Sequence, residues 1–181
     1  MDLTRHITAE GTDYTVDRAR EHDIQDIVTL LRDDPLGSQR ESANPQDYLA
    51  AFRQIDADPH QFLGVVKDDQ GSMVGTMQLT VIPSLSRSAS QRMLIEAVRI
   101  AADHRGSGLG SAMFAWVHEY ARRRGVALVQ LTTDRSRSDA QRFYERLGYV
   151  PSHIGYKLDL NNSPARRIEL PAHTAPWDEV G

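Results

Sequence analysis

Between residues 103 and 111 the chain reads Asp103-His104-Arg105-Gly106-Ser107-Gly108-Leu109-Gly110-Ser111, with glycine at every second position from 106 to 110. An apolar strand pattern precedes this loop and a strong helical pattern follows it. That order suits anion binding. Unpaired amides at a helix start, reinforced by the helix dipole, attract phosphate, and glycine lets the backbone come close. A tight turn that needs glycine only for positive φ is the plainer alternative, and the regular spacing at the head of a long helix argues against it. Just upstream, Glu96 interrupts an otherwise apolar strand pattern. A carboxylate there is costly unless paired, and burial would raise its pKa toward the range of a general base. Pairing with Arg99 is the structural alternative, although strand alternation sends Arg99 to the opposite face from Glu96 unless a bulge intervenes.

Two phosphate-binding motifs can be set aside. A nucleoside-triphosphate loop needs a lysine that this segment lacks. A dinucleotide fingerprint starts well at Gly106-x-Gly108, with Asp134 after the next strand, but Ser111 holds the third glycine position. The chain left after this loop is also too short for the remaining parallel strands.

The surrounding elements follow from periodicity. Tyr14 to Ala19 reads as a first strand, and Glu21 to Asp33 as a helix with Ile24, Ile27, Val28 and Leu31 on one face, ended by Pro35. Asn44-Pro45 is an N-cap and N1 pair opening a second helix that stops before Pro59. Strands are expected at Phe62 to Lys67 and Met73 to Val81, joined by a turn at Asp68 to Gly71. Pro83 to Ser90 reads as a loop. Arg92 to Ala102 is a long apolar run, which implies burial on both faces. Ser107 to Arg124 is the clearest helix, with Gly125 after it. Leu128 to Thr133 is a strand, Ser138 to Leu147 a short helix capped by Gly148, and Tyr149-Val150 with Gly155 to Leu160 are expected to close the sheet. The expected class is α/β, one domain over residues 1–160 followed by an extension over 161–181 that carries Arg166-Arg167 and Trp177.

Composition narrows the function. The chain has 181 residues, about one domain, with 12 Gly, 8 Pro and no Cys. Cysteine nucleophiles, zinc ribbons and disulfides are excluded. His104, His118 and His153 lack metal-ligand spacing, so no metal is expected. With 21 basic against 25 acidic residues the formal charge is −4, which disfavours nucleic acid as a partner. The Arg122-Arg123-Arg124 run fits the C-terminal turn of a helix without one. The polar N-terminus and the lack of a long apolar run point to a cytoplasmic protein with no membrane partner.

Arg105-x-x-Gly108-x-Gly110 resembles the pyrophosphate loop of the GNAT superfamily of acyl-CoA-dependent N-acyltransferases. Ile95 to Ile100 looks like that family's central strand. Ala140-Gln141-Arg142-Phe143-Tyr144-Glu145-Arg146-Leu147-Gly148-Tyr149 resembles its second signature, in the expected order. The resemblance implies a GNAT-like fold, a mixed, mostly antiparallel twisted sheet of about seven strands flanked by helices, whose central strands splay to admit acetyl-CoA as cosubstrate. Carried over, the backbone of Val98, Arg99 and Ile100 would hold the pantetheine arm, and Gly106, Ser107, Gly108, Leu109, Gly110 and Ser111 the pyrophosphate, with Arg105 adding charge. Tyr144 would face the thioester sulfur and Glu96 would accept the amine proton. One departure is Arg137, seven residues before Tyr144, where the family often has asparagine. The implied reaction is transfer of acetyl to a primary amine, of a small molecule or of a protein or peptide, in a ternary complex without an acyl-enzyme. A non-catalytic acyl-CoA sensor is the alternative, and the resemblance also allows a homodimer.

Overall fold

Asn44 and Pro45 open a helix as their types require. Asn44 Oδ1 accepts from the Gln46 amide at 3.0 Å, and Pro45 occupies the first turn, where its missing N–H is not needed. The computed structural model describes residues 5–33 and 44–160. One compact unit ends at Tyr149, and residues 150–160 belong to a second.

In the first unit, strands β1 (His6–Ala9) and β2 (Thr12–Arg18) form a hairpin whose turn, Glu10-Gly11, has positive φ at both residues. Helices α1 (Ile24–Arg32) and α2 (Pro45–Ala57) follow, then strands β3 (Gln61–Lys67) and β4 (Met73–Ile82). A single helical turn, α3 (Ser86–Ala89), is wound left-handed from Arg87 to Ala89. Strand β5 (Arg92–Ile100), helix α4 (Leu109–Arg123), strand β6 (Leu128–Leu131) and helix α5 (Ser138–Arg146) complete the unit. The sheet runs in chain order from β1 to β6. Every pairing is antiparallel except β5 with β6, which is parallel.

Alternation along the strands divides the core in two. Leu63 and Val65 face Ala19, Ile27 of α1 and Phe52 of α2. On the other side Val66, Met77, Leu79, Met93 and Ile95 pack against Leu109, Met113, Phe114 and Val117 of α4. This second layer holds the first turn of α4 against the middle of the sheet.

Four expectations change. The sheet has six strands rather than about seven, because residues 150–160 contain no strand and Val150, Ile154, Tyr156, Leu158 and Leu160 are exposed. Strand β1 is an addition. Strand β5 ends at Ile100 and is not buried on both faces: Met93 and Ile95 are buried, whereas Glu96 is exposed. Helix α4 starts at Leu109 rather than Ser107, because Gly108 takes a left-handed conformation just before it. The segment 161–181 lies outside the described residues. Among the described residues no helix is long and apolar enough to cross a membrane.

Asp23 ties α1 to the sheet. Its carboxylate is buried and accepts from the Arg20 amide at 2.8 Å and from Lys67 Nζ of β3 at 2.9 Å. Burial alone would raise its pKa, but the Arg20 amide and the Lys67 ammonium overcome that and hold it below the ordinary carboxylate value. A depressed folded pKa means this stabilisation is present above the unfolded value, near 3.9, and is lost as pH falls through the lower folded value. Asp23→Asn is expected to lower unfolding free energy by about 1–3 kcal/mol at neutral pH and to flatten the stability profile below about pH 4, measured by urea unfolding across pH.

Candidate active site

Strand β5 carries a bulge at the point where the site begins. Gln78 pairs with Glu96 and Thr76 with Arg99, so Met77 of β4 stands opposite both Ala97 and Val98. Ala97 has φ of 52°, left-handed for a residue with a Cβ. The extra residue resets the alternation and brings Glu96 and Arg99 to the same face. Parallel pairing with β6 runs only from Arg92↔Leu128 to Ile95↔Leu131 and stops immediately before the bulge. Beyond it β5 stays with β4 while the chain after Leu131 turns away. A cleft opens between them, lined by Ile95 to Arg99 on one side and by Leu131, Thr132, Thr133, Arg137 and Tyr144 on the other. The Thr133 hydroxyl is buried there with no protein partner.

The glycine loop lies at the far end of β5. After a 3-10 turn at Ala102–His104, Gly106 and Gly108 adopt φ of 81° and 75°, and α4 begins. No side chain caps α4. The first amide with a backbone acceptor is that of Ala112, bonded to Gly108 O at 3.1 Å. Among the described residues the amides of Gly106 through Ser111 are therefore unclaimed and grouped at the positive end of a 15-residue helix. Gly110 serves another purpose. A Cβ there would lie 3.3 Å from Phe143 Cζ and 3.4 Å from Ile100 Cδ1, so glycine permits α4, α5 and β5 to meet closely.

Arg105 is committed to structure. Its Nε donates to Ile100 O at 2.9 Å, and its Nη2 donates to Asp33 O at 2.9 Å and to Asp33 Oδ2 at 2.7 Å. The side chain pins the end of α1 to the glycine loop, and its charge is paired. Val98 O likewise accepts from Arg99 Nη1 at 2.9 Å. Two carbonyls expected to be free for a ligand thus already carry one donor each. Glu10 was not foreseen: its Oε1 would lie 3.7 Å from a Cβ at Gly108, which sets a carboxylate beside the loop. No spacing in the sequence signals that contact, because the β1–β2 turn lies about a hundred residues away.

Tyr144 projects from α5 into an aromatic cluster. Its ring lies 5.6 Å from Phe114, 5.4 Å from Phe143 and 6.0 Å from Tyr149. Burial pushes its pKa above the ordinary phenol value, while Arg137 and Arg99 pull the other way. The group is thus a neutral phenol and a hydrogen-bond donor at ordinary pH. Behind it, Tyr149 OH lies 2.9 Å from His118 Nε2, a pair that strand and helix patterns do not reveal. Burial also raises Tyr149 well above the usual range.

Glu119 accepts from Arg123 Nε at 2.8 Å and faces Arg122 at 3.7 Å, so those two arginines of the basic run are paired locally. His104 meets the Tyr14 hydroxyl and His153 meets Ser152. Among the described residues no three His, Asp or Glu side chains converge as a metal site.

The site is thus a parted strand pair with unclaimed helix-start amides at one end and a phenol at the other, in an α/β domain. Residues 24–149 match the acetyltransferase (GNAT) family, and the chain belongs to it. An aminoalkylphosphonate N-acetyltransferase from Salmonella typhimurium is 46% identical over 52 residues, 29% of this chain and 34% of that protein. A streptothricin acetyltransferase from Streptomyces lavendulae is 32% identical over 96 residues, 52% of this chain and 47% of that protein. The matches thus span between a third and a half of those two enzymes. A crystal structure described as a transcriptional regulator from Bacillus halodurans C-125 superposes with a TM-score of 0.77 at 41% identity, covering 81% of this chain and 99% of that one.

His118 offers a check on the buried pair. Burial, and then the nearby Arg122, lower its pKa below 6.5, so it hydrogen-bonds Tyr149 as neutral imidazole. A depressed folded pKa means stability falls as pH drops below the unfolded value. The His118 ring is expected to titrate below 6.5 by NMR; a midpoint at or above that value contradicts the assignment.

Proposed function

We propose that the chain is an N-acetyltransferase that moves acetyl from acetyl-CoA to the primary amine of a small molecule by direct attack in a ternary complex. The single observation that carries this reading is the parting of β5 from β6 at the Ala97 bulge, in line with the unclaimed amides of Gly106 to Ser111. Acetyl-CoA suits that layout. A diphosphate fits the amide group, an extended arm fits the open edge of β5, and the buried Thr133 hydroxyl seeks a polar partner in the cleft.

Each residue then has a defined task. The amides from Gly106 to Ser111 hold the pyrophosphate, and Arg105 supports them by fixing the loop rather than by its charge. The backbone of Val98, Arg99 and Ile100 binds the arm, the occupied carbonyls each retaining a second lone pair. Glu96, exposed at the rim of the cleft, accepts the amine proton directly or through water. Backbone amides of β5 steady the oxyanion, and Tyr144 donates to the departing sulfur. The thioester itself supplies the activated acetyl group. With no cysteine in the chain, direct attack is the simpler course. The catalytic domain is assigned to residues 1–160.

The 41% identical chain described as a transcriptional regulator favours a second reading, a CoA-responsive regulator without turnover. Calorimetric titration with acetyl-CoA, run beside an acetyl-CoA consumption assay over a panel of amines, separates the two. Binding with turnover of at least one amine is expected; tight binding with none supports the regulator. Tyr144→Phe is expected to lower kcat by about 10²-fold or more with little change in KM for acetyl-CoA, and unchanged turnover refutes the role of the phenol. Glu10→Gln should tighten acetyl-CoA binding by about fivefold, the size of one unit-charge contact near 4 Å in water.

A further inference from the structure

Arg137 stands where the family often has asparagine, and its surroundings suggest what the substitution does. It is the N-cap residue of α5, its main chain fixed from both sides: its amide donates to Asp134 O and its carbonyl accepts from the Gln141 amide, each at 3.1 Å. Its side chain lines the cleft between β5 and β6 beside Thr133 and Tyr144. Asp134 Oδ1 takes the Ser136 amide and hydroxyl at 2.9 and 2.7 Å, and Asp139 binds Arg142. Among the described residues no ion pair engages Arg137. The charged side chains lining the cleft are Glu96 and Arg99 from β5 and Arg137 at α5.

Resting on the reading above, we propose that the Arg137 guanidinium is the counter-charge for the thiolate released by the acyl donor, with Tyr144 a hydrogen-bond donor to that sulfur. When the amine nitrogen bonds to the carbonyl carbon, the carbon–sulfur bond breaks and its electron pair leaves on sulfur. The nitrogen proton departs through Glu96 to water, and the sulfur takes a proton from solvent later. Burial makes the Tyr144 phenol hold its proton more tightly than an ordinary phenol. The leaving sulfur therefore needs a cation that keeps its charge, and a guanidinium is protonated at every working pH. Arg137, and less strongly Arg99, favour a negative charge at the Tyr144 oxygen, and both line the cleft with it.

The test compares the equilibrium affinities of CoA and desulfo-CoA, which lacks the thiol, by calorimetry at about one pH unit above the midpoint of the thiol bound to Arg137→Gln, where the thiolate is the bound form in both proteins. Wild type is expected to prefer CoA. Arg137→Gln is expected to cut that preference by about tenfold, equivalent to one pK unit of thiolate stabilisation, while affinity for desulfo-CoA stays within about twofold. Arg137→Lys should keep most of the preference. If Arg137→Gln keeps it in full, weakens both ligands equally, or wild type shows none, the counter-charge role is overturned. If wild type binds neither ligand, the acetyl-CoA reading fails as well. Titration of the bound thiol by its thiolate absorbance gives a second readout: its midpoint should rise by about one unit in Arg137→Gln.

Discussion

A left-handed alanine organises this molecule. Ala97 adopts a conformation that costs about 1–2 kcal/mol for a residue with a Cβ, and antiparallel pairing to β4 on both sides holds it there. Three consequences follow from that one distortion. Glu96 and Arg99 share a face, the parallel ladder to β6 ends, and backbone that would otherwise be bonded in the sheet faces a cleft. A flat strand at this place would zip to β6 and leave no room between α5 and β5.

Electrostatically the fold separates its charges by task. Side-chain charges are mostly joined in local pairs: Arg105 with Asp33, Lys67 with Asp23, Arg122 and Arg123 with Glu119. The positive potential at the glycine loop comes instead from oriented amides, which cost no side-chain entropy and cannot be titrated away. On the proposed function, this is how a chain of net charge −4 would present an anion seat without a basic patch.

Signals carried by short-range pattern were legible. The glycine loop, α1, α2 and α4 follow from side-chain periodicity and from Asn44-Pro45, which are local properties. The bulge at Ala97 was not, because no residue type demands it; it arises from the match between β4 and β5. Strand β1 escaped for a related reason: His6 to Ala9 is short and only half apolar, and it pairs only because Glu10-Gly11 reverses the chain. Arg105 shows the limit of motif reading. The motif marks its position, but only the packed structure shows its guanidinium turned back to Asp33 and Ile100. The expected closing strand fails in a similar way, since alternation at 155–160 names no pairing partner.

The contact at Gly110 links the two ends of the cleft. The residue that brings α4 close to Phe143 belongs to the glycine turn, and Phe143 is the immediate neighbour of the phenol. Even a single methyl at Gly110 would press on the ring beside Tyr144 as well as on Ile100 at the end of β5. Under the proposed function, any side chain at this position would disturb both the grip on the donor and the aim at the scissile bond.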